Sequence, residues 1–219
     1  MKTTLEAENA LVISFLALRK AIGLLGIGLP LAVSLGAFVV FQTGLQGSLS
    51  AYYHTGARDV FVGALWAIGF FLLSYKGYER ADAIAGNLGC IFAIGIAIFP
   101  TFSGVNPSAT PTWVGYAHAA FTVLFLSTLI YFSLCLFTKT DSKHPTKKKL
   151  QRNMIYRVCG YTMAICILLI GVNYLLKNTA AAALQRYQPV FWLEALAIEA
   201  FGISWLTKGE AILSDRANS

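Results

Sequence analysis

The chain has 219 residues, of which 57% are hydrophobic and only 12% charged, with a mean hydropathy of +0.63. A soluble globular domain carries about a quarter charged residues, and the apolar residues here fall in blocks of about 18 or more, the length a helix needs to cross the hydrocarbon core. Together these exclude a soluble domain, and the unbroken runs lack the alternation of a β-barrel. The formal charge of +7 sits beside apolar spans and in one loop, which is topogenic patterning and gives no reason to expect nucleic acid.

The expected fold is all-α: an integral membrane bundle of six transmembrane helices behind an N-terminal amphipathic segment, residues 1–20. The single transmembrane domain then covers 21–207, and 208–219 form a short tail. Thr3 and Glu6 have capping-box spacing, and the apolar run Ala10 to Leu18 is too short to span. It reads as an interfacial helix ended by Arg19 and Lys20, the alternative being the start of one long first helix.

The first span is about 21–42, where Gly23, Gly26, Gly28 and Pro30 provide close approach or a kink. The second is about 58–76. In the third, about 83–100, Ala81, Ala85, Gly89, Ala93 and Ala97 recur every four residues and lay a small-residue stripe for a neighbouring helix. The fourth, about 113–138, is entered through Trp113 and Tyr116, which suit an interfacial belt. The fifth and sixth cover about 156–176 and 189–207. Cys90, Cys135, Cys159 and Cys166 all fall in apolar spans without a CxxC pair and read as small buried hydrophobes. No cleavable signal peptide is expected.

Orientation follows from the cations. With the N-terminus inside, fourteen of the seventeen lysines and arginines lie in inner segments and three, Arg58, Lys177 and Arg186, in outer ones. Both termini are therefore expected in the cytoplasm, and the chain fits a bacterial inner membrane. The stretch Lys139 to Arg152 either fixes this topology or holds anionic headgroups.

Against this oily background, Ser48 to Gly63, read SLSAYYHTGARDVFVG, gathers Ser48, Ser50, Tyr52, Tyr53, His54, Arg58 and Asp59 at the outer end of span two. By depth alone His118, Asn173 and Glu194 join the same outer layer, and Glu199 lies deeper. An ionisable group inside a span costs a few kcal/mol and normally faces a partner or a cavity. Glu199 is then either a proton-linked or ligand-binding carboxylate, or a protonated acid bonded across helices. Glu194 and Glu199 stand about 140° apart around one helix and cannot act side by side. His54 and His118 are structural, or they are metal ligands completed by Asp59 or Glu194. Asp59 also suits the positive end of helix two.

The segment Ser50-Ala51-Tyr52-Tyr53-His54 with nearby Asp59 resembles the Ser…Tyr-His element of the alkaline ceramidase, adiponectin-receptor and hemolysin III group. That likeness implies an intramembrane zinc and lipid-amide hydrolysis, with Ser50 and His54 on the first motif and Asp59 as carboxylate. The chain departs from the pattern in having six spans and no HxxxH in its last helix. As a whole it also resembles bacterial multi-pass proteins carrying a YHTxxRDxFVG segment, which implies no activity.

Three functions follow. In the first, the outer cluster binds a membrane lipid or a partner through Ser50, Tyr53, His54, Arg58, Asn173 and Glu199, the partner being a membrane protein or a second copy of the chain. In the second, a zinc-dependent hydrolase of lipid amides or esters uses His54, His118 and Asp59 as ligands, with Asp59 and Glu194 as the catalytic carboxylates. In the third, a proton-linked transporter has Glu199 and Asn173 on its path, although the inner half offers little beyond Asn87 and Asp82.

Overall fold

A computed structural model describes the backbone of residues 2–77, 79–103, 110–140, 144–176, 178–180 and 182–213, and their side chains from Phe15 onward. The Thr3/Glu6 pair, the 104–109 stretch, Lys143, Lys177 and Arg216 lie outside the described residues or side chains. Six long helices follow in order: α1 (Lys2–Phe41), α2 (Arg58–Ser74), α3 (Arg80–Ile98), α4 (Thr112–Tyr131), α5 (Lys147–Leu176) and α6 (Pro189–Lys208). No strand occurs among the described residues. A 3-10 turn spans Ser50–His54, another Ala182–Tyr187, and α4 continues as a π-helical turn over Phe132–Leu136.

Five of these helices, all but α2, are long and apolar enough to cross a membrane. The lipid-compatible surface agrees: Leu31, Leu35 and Phe38 of α1 and Leu168 and Leu175 of α5 are exposed, an outward apolar face that a water-soluble monomer does not present. The chain is a helical membrane protein. The break expected after Lys20 is absent, because residues 3–18 run straight into the first span as one 40-residue helix. The Arg19-Lys20 pair interrupts hydrophobicity without interrupting helix, since both residues are good helix formers.

Each helix packs on the next in sequence and α6 closes on α1, with α1/α6, α5/α6 and α2/α3 the most extensive pairs. The α1/α6 contact depends on glycine. A Cβ added to Gly23 would stand 2.8 Å from the Gly202 carbonyl oxygen, and one added to Gly202 would stand 2.7 Å from that of Gly23. In lipid, where hiding apolar surface contributes little between helices, such close backbone approach is the main source of attraction. The α3 stripe behaves as its spacing predicts. Ala85, Gly89, Ala93 and Ala97 are buried, and Gly89 receives the Leu72 side chain of α2. Ser133 and Ser204 hydrogen-bond at 2.9 Å between the π-helical turn and α6. Three cysteines are buried as expected, whereas Cys135 faces outward, because the π-helical turn shifts the register of the end of α4.

The order of the helices gives the bundle two distinct ends. One carries the 42–57 connection, the α3–α4 loop and the start of α6, and is termed the His54 end. The other gathers Arg19, Lys139, Lys149 and Lys208 and is termed the basic end.

Gly23→Ala and Gly202→Ala are each expected to cost about 1–3 kcal/mol through overpacking at the α1/α6 contact. Gly36→Ala, with nothing within 4 Å of the added methyl, is expected to be neutral. Thermal unfolding of the three variants in detergent checks this.

Candidate functional site

At the His54 end the polar cluster assembles around the Ser50–His54 turn, and its groups are largely spent on holding loops. The Leu49 amide donates to Glu194 Oε2 at 2.6 Å, and the Ser50 amide also bonds this carboxylate. Ser48 Oγ accepts the Ala51 N–H at 3.0 Å. Orphan amides at the start of a turn need such acceptors, and here one comes from α6, about 145 residues away along the chain. Glu194 thereby caps this turn. Tyr52 is fully buried, its ring 6.2 Å from that of Phe191 at the start of α6. Burial pushes its phenol above the ordinary value, against a smaller opposing effect of the Gln46 amide on its oxygen.

The two histidines perform one task. His54 Nε2 donates to the Thr101 carbonyl at 2.8 Å and His118 Nδ1 to the Phe99 carbonyl at 2.6 Å. A carbonyl only accepts, so these nitrogens carry the protons. Both rings therefore pin the chain leaving α3. His118 is 3% exposed, and its Nε2 has no hydrogen-bond partner. His54, His118, Asp59 and Glu194 do not gather as zinc ligands. Among the described residues no group of three or more histidines, cysteines or acids is placed to hold a metal ion. The physical reason is that each imidazole is turned to its own backbone carbonyl and Glu194 to the turn.

Behind Glu194 lies a cavity of about 40 Å³ that Ser50 and Thr122 also line, within walls such as Phe61, Leu65 and Phe125. That volume admits water and excludes a lipid. Asn173 is buried on α5 and Glu199 half-buried on α6, and neither lines this cavity.

Arg58 and Asp59 part company at the first turn of α2. The Arg58 guanidinium lies over the Tyr53 ring, 4.6 Å from its centroid, and donates to the Tyr53 hydroxyl at 3.0 Å. Asp59 is exposed and forms no ion pair or hydrogen bond with the described residues. It stands at one end of an apolar groove of about 780 Å³ between α1 and α2. Leu24, Gly28 and Ala32 form one wall, Val60, Gly63 and Ala67 the other, and nothing lies within 4 Å of a Cβ placed on Gly28 or Gly63. From Asp59 to Phe71 the groove follows α2 for about 18 Å.

The groove was not legible in the sequence. Its signal was present as small residues on α1 and α2, yet those positions read equally as closed helix contacts. No protein-family model, curated protein or solved structure matches the chain.

Glu194→Ala strands two amides of the Leu49–Ser50 turn and is expected to cost about 1–3 kcal/mol. Amide hydrogen exchange across 49–54 should rise at least tenfold, while Glu194→Gln, which keeps an acceptor oxygen, should stay near wild type.

Proposed function

We propose that this protein is a six-span bacterial inner-membrane protein, both termini cytoplasmic, that binds a membrane lipid in the α1/α2 groove with its headgroup at Asp59. The single observation that carries the reading is the groove itself, apolar along its length and ending in a carboxylate that forms no ion pair with the described residues. Apolar walls of this size suit acyl chain. The free Asp59 carboxylate suits an amine-bearing headgroup, since opposite charges at the membrane surface pair at modest cost. Neighbouring Arg58 is held on Tyr53 and leaves Asp59 available. Helix α2, at 17 residues, is about 25 Å long and serves as the sixth span.

In this reading the rest of the outer layer builds the site without touching the lipid. Glu194, Ser48 and the two histidines keep the 48–57 turn and the start of the α3–α4 loop in place, so that Tyr53, Arg58 and Asp59 hold a fixed edge. The geometry favours recognition over zinc chemistry, for which no group of three or more ligands is gathered among the described residues, and over transport by Glu199 and Asn173, neither of which lines the cavity behind Glu194.

Filling the groove from its two walls tests the reading. Gly28→Leu with Gly63→Leu enters open space and should leave the protein monodisperse. It should also lower co-purifying phospholipid, measured by mass spectrometry after gentle extraction, at least fivefold. Asp59→Asn should retain the lipid mass and lose the preference for amine headgroups. Bound lipid unchanged by the double substitution would refute the proposal, and a new chain cross-linking to position 63 would assign the groove to a transmembrane helix instead.

A further inference from the structure

We propose that the outer face of α6 is an interface for a second copy of this chain, with the two Glu199 carboxyls meeting on a two-fold axis along the membrane normal. It rests on a different element from the lipid groove, from which α1 separates it.

The observation is a carboxyl at mid-membrane. Helix α6 runs from Pro189 to Lys208, and Glu199 stands midway along its 20 residues, about 15 Å from either end. At that depth an ionisable side chain is costly and normally turns to a partner or a cavity inside the bundle. Glu199 has no such partner: it is half-buried and forms no hydrogen bond or ion pair with the described residues. Glu194, five residues earlier and about 140° round the helix, takes the inward direction and caps the Leu49–Ser50 turn.

The residues that share its face show where Glu199 points. Trp192, Leu196 and Ile203 are exposed, and with Glu199 they recur at intervals of four, three and four. Such spacing lays a single stripe along a helix. The opposite flank carries Phe201 and Trp205, both fully buried. Leu31, Leu35 and Phe38 of α1, which packs along α6, are exposed as well and widen the apolar surface beside the stripe. Alternating intervals of four and three are what two helices need to interlock side chains along a seam. A single polar residue in such a seam fixes its register, because any slip leaves that residue without its mate.

Symmetry identifies the mate. Two copies inserted in the same direction, and related by an axis along the membrane normal, bring each residue of the seam opposite its own equivalent at equal depth. Glu199 then faces a group of its own chemistry and reach. A protonated carboxyl both donates and accepts, so two of them satisfy each other with a reciprocal pair of hydrogen bonds. Polar contacts of this kind hold helices together in lipid. A foreign helix would have to carry its own costly polar group to the same depth.

Subunit counting by single-molecule photobleaching tests the interface, with the full chain in phosphatidylcholine vesicles over a range of protein-to-lipid ratios. The wild type is expected to pass from one subunit to two as the ratio rises, and to stop there. Glu199→Gln, whose carboxamide also donates and accepts, should dimerise within threefold of wild type. Glu199→Leu, which removes the polar pair and keeps the face apolar, should weaken dimerisation tenfold or more. Leu196→Ala with Ile203→Ala should weaken it at least fivefold. Leu168→Ala, at an exposed position on α5, should leave it unchanged. A wild type that stays monomeric at every ratio would overturn the proposal and leave the face to lipid or to a helix of another protein. Equal dimerisation by wild type and Glu199→Leu would overturn it too, as would an equal loss in Leu168→Ala. Should Glu199→Leu fail to fold, the double substitution at the exposed positions 196 and 203 decides against Leu168→Ala. The groove variants at Gly28 and Gly63 should dimerise as wild type does, so this interface and the lipid groove fail separately.

Discussion

The bundle depends on the approach of α1 to α6 at Gly23 and Gly202. Each glycine lacks the atom that would strike the other's carbonyl oxygen, so two backbones meet where side chains would otherwise hold them apart. Between helices in a bilayer, packing of this kind replaces the hydrophobic drive that assembles a soluble core. Its consequences reach both ends of the molecule. Joining α1 to α6 sets Arg19 and Lys20 against Gly209 and carries Arg19 to the basic end. It also commits the glycine face of α1 to α6, so that α2 packs on α3 more extensively than on α1. The groove lies in that less extensive contact.

The two ends treat their polar groups differently. At the His54 end they are consumed internally: Glu194 takes up the turn, two imidazoles take up two carbonyls, and Arg58 takes up Tyr53. Such bonds keep irregular backbone satisfied close to the membrane, where an unpaired amide is costly. Asp59 forms no such bond with the described residues, which is informative because its neighbours Arg58 and Tyr53 are bound to each other. At the basic end Arg19, Lys139, Lys149, Arg152 and Lys208 line one cavity, and three of them lie over aromatic rings.

Much of the architecture could be read from the chain. Runs of apolar residues mark the helices, the Ala85 to Ala97 stripe identifies the buried face of α3, and the shift from oil to lysine marks where helices end. The start of α1 misled, because Arg19 and Lys20 suggest a boundary by charge while the backbone continues through two residues that favour helix. The outer layer was legible as a set of residues and not as a set of roles. Depth along each helix placed Glu194, His118 and His54 together, but depth says nothing of direction, and hydrogen bonds are decided by direction. The zinc reading rested on residue types, depth and a short resemblance, none of which records where the rings point; among the described residues no group of three or more potential ligands is gathered.

What the sequence by itself determined is therefore one-dimensional: that the chain is helical and membrane-borne, where its apolar helices lie, and which segments are basic. These follow from the period of the helix and the thickness of the bilayer, both properties of local stretches. Only the tertiary structure decided which polar groups meet. Arg19 and Lys208 are separated by nearly the whole chain, as are Leu49 and Glu194 by most of it, and no local pattern records that each pair is brought together. The lateral order of helices is set by the glycine contact between α1 and α6 and the small-residue stripe between α2 and α3. From that order come the groove beside Asp59 and the ring of cations at the opposite end.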